Sequence, residues 1–151
     1  MRIRHAVLAV SVLASVFAVE SATAQRVPPM TAWAPQPKTL APFTAPNKLF
    51  KPLSAILARH KGQKSWTETE VLTRDYIGQY IQMAPGEKTK TLFWADDRIY
   101  WVVVSGQMRV TIDGVEPFVA SKGFLVQVPY RGPYSMETVG NEPYLRFEVT
   151  P

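Results

Sequence analysis

The chain has 151 residues, with 17 basic and 12 acidic side chains for a formal net charge of +5, and it contains no cysteine. The lack of cysteine excludes disulfides, thiolate chemistry and a lipid-modified cysteine. The length fits one domain, whose fold must rest on its hydrophobic core alone.

Residues 1–24 have the features of a secretory signal peptide. Arg2 and Arg4 precede the apolar stretch 6–19, which is followed by the small residues 22–24. This order is typical of a signal peptide with an A-x-A cleavage site, and the apolar run is shorter than the roughly 20 residues of a transmembrane helix. We expect cleavage after Ala24, a periplasmic or secreted location, and a mature chain without an integral membrane segment.

Charge is distributed unevenly along the mature chain. Residues 25–67 contain seven basic and no acidic side chains, whereas residues 68–151 contain eight basic and eleven acidic ones. We interpret residues 25–67 as packing on the rest of the same chain or as exposed to solvent. The alternative is that they dock on an anionic surface or glycan. Nucleic acid is not an expected partner of an exported protein.

Residues 25–51 are predicted to form a Pro-rich basic arm. Seven prolines between residues 27 and 52 exclude a regular helix or central strand and favour extended chain. Apolar residues are interspersed among these prolines, which indicates that part of the arm lies on the body: Trp33, Leu40, Phe43, Leu49 and Phe50.

Residues 52–151 are predicted to form a β-barrel domain that begins with one short helix. Pro52 suits the first helical turn, and Gly62 suits the C-terminal end. The helix has an amphipathic face made of Leu53, Ile56, Leu57 and His60. We interpret His60, the single histidine of the mature chain, as a structural residue of this helix.

From Trp66 onward, short runs rich in Val, Ile, Thr, Tyr and Phe alternate with turn signals. This spacing indicates an antiparallel sandwich or barrel. Met108, Val110 and Ile112 alternate with polar residues before the Asp113-Gly114 turn, which predicts a hairpin with one wet face. The last run, 145–150, alternates in the same way and is expected to close the sheet.

Two spacings in residues 82–149 carry a family resemblance. Gly86 and Gly106 bracket the first, and Gly123 is followed after five residues by Pro129 in the second. These spacings resemble the two motifs of a single-domain, RmlC-like protein of the cupin superfamily. The resemblance implies an all-β fold, a small antiparallel double-stranded β-barrel of the cupin or jelly-roll type, and a homodimer.

The residues that usually bind metal in this family are replaced. The His-x-His positions hold Leu92 and Trp94, the glutamate position holds Ile99, and the histidine of the second motif falls at about Tyr134. Iron, manganese, nickel and zinc are held there by imidazoles and a carboxylate, and these side chains provide neither. We therefore expect no metal and no other cofactor.

Strand parity predicts which residues line the barrel. If Ile99 points inward, Trp101 does so too, with Leu92 and Trp94 facing them. Polar candidates at the rim are Tyr80, Gln82, Gln127, Tyr130 and Tyr134, while Arg146 and Glu148 have the opposite parity to the apolar residues of the last strand.

These residues allow two interpretations of the interior. The apolar side chains fill the barrel as a solid core, or a small apolar or aromatic ligand stacks between Trp94 and Trp101. Sequence alone does not choose between them.

The preferred function is an exported, metal-free, cupin-like protein that binds a small apolar or aromatic ligand or has a structural role. One alternative is a metal-independent isomerase or epimerase, in which Tyr134, Tyr130 or Glu137 transfers the proton. Others are a metal-dependent oxygenase with non-standard ligands, and an assembly partner that uses the basic arm and a strand edge.

Overall fold

The computed structural model describes residue 39, residues 41–95 and residues 98–151. The predicted signal peptide and its cleavage site, most of the arm before residue 41, and the Asp96-Asp97 turn lie outside the described residues. Residues 41–151 form one compact unit.

Within it, eight strands form two antiparallel sheets, and the chain also has one short helix. The larger sheet has the strand order β1-β2-β8-β3-β6 and the smaller one the order β5-β4-β7. The elements, in chain order, are α1 (Leu53–Arg59), β1 (Trp66–Leu72), β2 (Ile77–Met83), β3 (Tyr100–Ser105), β4 (Gln107–Ile112), β5 (Phe118–Ser121), β6 (Leu125–Gln127), β7 (Tyr134–Val139) and β8 (Tyr144–Thr150).

The two sheets enclose the main hydrophobic core between their inner faces. In β4, Met108, Val110 and Ile112 are buried while the residues between them are exposed, so the predicted one-sided strand is confirmed. Strand β4 pairs with β5 across the loop that contains Gly114. The antiparallel all-β architecture indicated by the turn spacing, and the double-stranded barrel that the family resemblance implies, are therefore confirmed.

Helix α1 packs on the outer face of the larger sheet. Its Ile56 is buried with Trp66 of β1 and Leu145 of β8 in a second, smaller core. Leu57 was predicted to share the apolar face but is 40% exposed. The helix ends at Arg59 after seven residues, too short to bury a wide stripe. No helix in the described ranges is long and apolar enough to span a membrane.

Polar contacts fix the end of this helix to β1. Arg59 forms ion pairs with Glu68 and Glu70, and its bond to Glu68 holds the pKa of that carboxyl below its usual range. His60 stacks on Trp66 with ring centroids 4.1 Å apart, and its Nε2 lies 2.6 Å from Glu68 Oε2. His60 thus joins the helix to the sheet.

The last residues of the arm lie along β1, which is an outer strand of the larger sheet. The Asn47 side chain donates to the Leu72 carbonyl and accepts from the Leu72 N–H, both at 2.8 Å. The Lys51 ammonium donates to the Glu70 carbonyl at 2.7 Å and pairs with the Glu70 carboxylate. Side chains of the arm thus form hydrogen bonds with backbone N–H and C=O groups at this edge of the sheet.

Strand β8 differs from its prediction. It pairs with β2 on one side and β3 on the other, so it lies in the middle of the larger sheet instead of closing it. Both of its faces are covered, because α1 and its neighbours pack over Leu145 while the opposite face lines the barrel. The inward face carries the charged residues Arg146 and Glu148, both buried.

Candidate functional site

The barrel interior brings together the residues at the family's metal-binding positions. The Leu92 N–H donates to the Tyr134 carbonyl at 2.7 Å, and the Tyr134 N–H donates back to Leu92 at 3.0 Å. Ile99 is buried beside them, and Leu92 and Trp94 pack half-buried against the same core. All four positions therefore meet, as apolar or aromatic side chains.

Large aromatic rings occupy the centre of this cluster. Trp101 is fully buried on β3, and its ring stacks on that of Tyr134 with centroids 6.0 Å apart. The larger clefts on the described surface, of about 410 and 420 Å³, are lined by other residues. At the four positions where the resemblance expects the family's metal ligands, the side chains belong to the hydrophobic core or pack against it.

A buried ion pair lies next to these rings. Arg146 Nε donates to Glu148 Oε2 at 2.7 Å, and both residues are buried. Arg146 Nη1 lies 3.4 Å from Met83 Sδ, and the guanidinium carbon lies 6.0 Å from the centre of the Trp101 ring. Such a pair is expensive to desolvate and depends on its mutual attraction to remain inside.

Two buried tyrosines flank the pair. Burial raises the pKa of Tyr134 to about 12, with a smaller contribution from the Glu148 charge. Burial also raises the pKa of Tyr144 to about 12, although the Arg146 charge acts in the opposite direction. Both hydroxyls are therefore protonated at neutral pH, and neither can accept a proton there as a general base.

The interior keeps some unused hydrogen-bonding capacity. The Thr138 hydroxyl is buried without a hydrogen-bond partner among the described residues, and the buried Trp101 indole nitrogen and Tyr144 hydroxyl have no partner there other than each other. Buried polar groups are usually paired, so these atoms are the least satisfied of the core.

Two predicted pocket residues lie outside the barrel. Tyr80 is on the outer face of β2, where its ring packs 4.9 Å from that of Phe147 in the second core. Gln82, on the same face, donates to the carbonyls of Gln63 and Lys64. The structure therefore does not bring these two side chains together with Trp94 and Trp101.

Two further candidates are on the surface. Gln127 is exposed on β6 and lines a shallow cleft of about 240 Å³ with Arg98, Val128 and Pro129. Tyr130 is 47% exposed, with the Arg131 guanidinium 5.0 Å above its ring. Of the nine predicted residues, five share the interior: Leu92, Trp94, Ile99, Trp101 and Tyr134.

The donor set of the interior does not fit a transition metal. Within the described ranges no three His, Asp or Glu residues are grouped so as to hold an ion. His60 lies on the outer face, and Glu148 is paired with Arg146. Glu137, a proposed proton carrier, faces Arg109 at 3.6 Å and is 39% exposed. No step of metal chemistry can be derived from these residues.

The Arg146–Glu148 pair is the part of the interior that sequence reasoning missed. Alternation in residues 145–150 gives Arg146 and Glu148 the opposite parity to the apolar residues, but it does not indicate which face points into the barrel. The amphipathic helix before the barrel decides between the two faces. It must pack on an apolar surface, and on β8 that surface includes Leu145. The opposite face of β8, with Arg146 and Glu148, therefore points into the barrel.

The structure resembles solved proteins that carry the cupin name. A cupin-2 domain containing protein from Shewanella frigidimarina matches with a TM-score of 0.56 and 12% identity, over 67% of this chain and 93% of that chain. An RmlC-like cupin family protein with a double-stranded β-helix fold, from Methanocaldococcus jannaschii, matches with a TM-score of 0.53 and 20% identity over 60% and 83%. The chain has the cupin fold.

The Cnp3 cupin domain of Schizosaccharomyces pombe is a third match, with a TM-score of 0.54 and 16% identity over 58% of this chain. The match spans 64% of that domain's length. No family model and no curated protein matches the sequence. At these identities the likeness concerns the fold alone, so function has to be argued from the residues of this chain.

Proposed function

We propose that this chain is an exported, metal-free cupin that binds a small apolar or aromatic ligand and does not act as a catalyst. The observation that carries the proposal is the replacement of the family's metal ligands by packed side chains. Leu92, Trp94 and Ile99 occupy those positions inside the core and offer no imidazole or carboxylate. A cleft of about 410 Å³ beside α1 has the size usual for small-molecule sites.

Elemental analysis and unfolding test the metal-free role. We expect the purified mature protein to contain less than about one tenth of an equivalent of iron, copper, manganese, nickel or zinc, because the interior lacks donors. Its melting temperature should be unchanged by a chelator or by added metal, since a ligand that binds only the folded state raises stability. Stoichiometric metal, or a lower melting temperature after chelation, contradicts the proposal.

The isomerase alternative receives no support from the interior. It requires a tyrosine in hydrogen-bonding reach of a pocket carboxylate, and no such bond forms within the described residues. Like any tyrosine, Tyr134 is protonated at pH 7, and with its pKa raised to about 12 it is a weaker proton donor than an ordinary tyrosine. We therefore assign no catalytic residue.

Export rests on the sequence features of residues 1–24. The proposal predicts that full-length protein produced in a bacterial host with a Sec pathway is found outside the cytoplasm with Gln25 as its first residue. Intact mass measurement of the purified protein tests this. Recovery of the uncleaved chain from the cytoplasm contradicts it.

A homodimer is proposed through the outer face of β3 and β6. Tyr100, Val102 and Leu125 are 42%, 41% and 66% exposed, and Val102 pairs directly with Leu125 in the sheet. Apolar side chains that share one exposed face indicate a protein interface.

Light scattering tests the dimer. The mature protein should have twice the monomer mass, and Leu125→Glu should give monomer because a charge is buried in the interface. Val119→Glu, a 43% exposed position on β5 of the smaller sheet, is the matched control and should remain dimeric. A monomeric wild-type protein, or a dimeric Leu125→Glu variant, contradicts this surface.

A further inference from the structure

A cleft outside the barrel has features of a ligand site. It lies between the end of the arm, helix α1 and strand β1, and its volume is about 410 Å³. We call it the arm cleft. Its apolar lining consists of Ala45, Pro46, Phe50, Pro52, Ala55 and Ile56, and its charged lining consists of Lys48, Lys51, Arg59, Glu68 and Glu70.

The position of the arm that forms one wall of this cleft is fixed by contacts. Asn47 forms two hydrogen bonds with the backbone of Leu72, and Lys51 pairs with the buried Glu70. A wall held at both of these points keeps its shape before a ligand arrives. Preorganised sites lose less entropy on binding.

The charges of the cleft favour an anion. Three cations face two carboxylates in the lining, which leaves one net positive charge. Lys51 and Arg59 are paired with Glu70 and Glu68. Lys48 is exposed and forms no ion pair within the described ranges, so it is the cation that can bind a ligand without breaking a pair.

The apolar residues of the arm favour a ligand with a hydrophobic body. Phe50 lines the cleft and is 81% exposed, and its neighbour Leu49 is 80% exposed. A second cleft of about 210 Å³ adjoins the first, and both are lined by Lys48, Phe50, Lys51, Ile56 and Glu70. Two large exposed apolar side chains beside a groove gain stability when a ligand covers them.

We propose that the arm cleft binds a small monoanion with an aromatic body, its carboxylate at Lys48 and its ring against Phe50. This inference rests on the ligand-binding role proposed above and places that ligand outside the barrel interior. The interior is not chosen because Ile99 and Trp101 are buried in its core at 1% and 0% exposure.

The probes are 1-naphthoate and 1-naphthol, which share an aromatic body and differ in charge at neutral pH. Titration calorimetry should show tighter binding of naphthoate to the wild-type mature protein. Lys48→Gln should weaken naphthoate binding about threefold to fivefold, typical of one exposed charge pair, and leave naphthol binding unchanged. Lys61→Gln is the matched control, because Lys61 is exposed and does not line the cleft.

A steric variant tests the location without altering charge. Ala55 lines the cleft, whereas Ala58 is exposed on the same helix outside its lining. Ala55→Phe should weaken both probes about tenfold or more by filling the cleft, and Ala58→Phe should leave both affinities at the wild-type value. Circular dichroism and melting temperatures of the two variants show that each is folded.

The outcomes separate this proposal from the proposed function. If naphthoate binds but Ala55→Phe leaves its affinity unchanged, the arm cleft is the wrong site while a ligand-binding role stands. If neither probe binds the folded wild-type protein at millimolar concentration, this proposal is overturned. The metal-free role is decided independently, by elemental analysis.

Discussion

Replacing Arg146 with methionine is expected to lower the free energy of unfolding by about 3 to 5 kcal/mol, which is typical when a buried ion pair loses one partner. Arg146 is 4% exposed, and its Nε donates to Glu148 Oε2 at 2.7 Å. Methionine fills much of the same space but leaves the Glu148 carboxylate buried without a counter-charge. Urea unfolding of the mature protein and of the variant measures the difference.

A double variant is the matched control. Arg146→Met combined with Glu148→Leu removes both charges, and it should recover most of the lost stability, because well-packed apolar residues can replace a buried ion pair at little cost. The inward face of β8 would then match its neighbours Trp101 and Met83. A single variant that loses less than about 1 kcal/mol, the range of exposed pairs, contradicts the buried position of the pair.

Replacing Gly106 with alanine is expected to have the second large effect. Gly106 has φ +74°, and a Cβ there would lie 2.4 Å from the Pro143 carbonyl oxygen and 2.8 Å from Tyr144 Cα. Alanine costs roughly 1 to 2 kcal/mol in the left-handed region, and the collision adds about 1 to 3 kcal/mol as in overpacked sites. Both contacts are to backbone, which cannot rotate away.

Gly114→Ala is the control for this prediction. Gly114 has φ +75°, but nothing lies within 4 Å of its added Cβ. The Gly114→Ala variant should lose only the unfolding free energy that a left-handed backbone costs alanine, about 1 to 2 kcal/mol. Equal losses of unfolding free energy in the two variants would show that the close approach of Pro143 to Gly106 is not a constraint.

Gly106 also shows why the fold could be predicted from the sequence. The turns of this barrel need glycine at set intervals, and Gly86, Gly106 and Gly123 all have positive φ. A turn residue with positive φ is usually glycine, so the glycines of the sequence indicate where such turns lie. The same holds for β4, where side-chain alternation alone gives the buried face.

The interior could be predicted only in part. The burial of Ile99 and Trp101 follows from parity along one strand. The inward direction of Arg146 does not, because alternation defines two faces of a strand without saying which one is covered. That choice depends on α1, about ninety residues earlier in the chain, and on the covering of the outer face of β8.

The face of β2 on which Tyr80 lies could not be predicted from the sequence, for the same reason. On β2, both Tyr80 and Ile81 are partly buried, since one faces the helix and the other the barrel. A strand covered on both sides gives no polar face from which to read direction. Long-range packing therefore decides which of its side chains can belong to a site.

The contact between Asn47 and Leu72 covers peptide groups at the outer edge of β1. A free outer strand presents N–H and C=O groups on which the strand of another molecule can add, and this is a common beginning of aggregation. The Asn47 amide supplies one donor and one acceptor and so takes the place of an incoming peptide group. At the end of β1, the Leu72 N–H and C=O are therefore not free to pair with the strand of another chain.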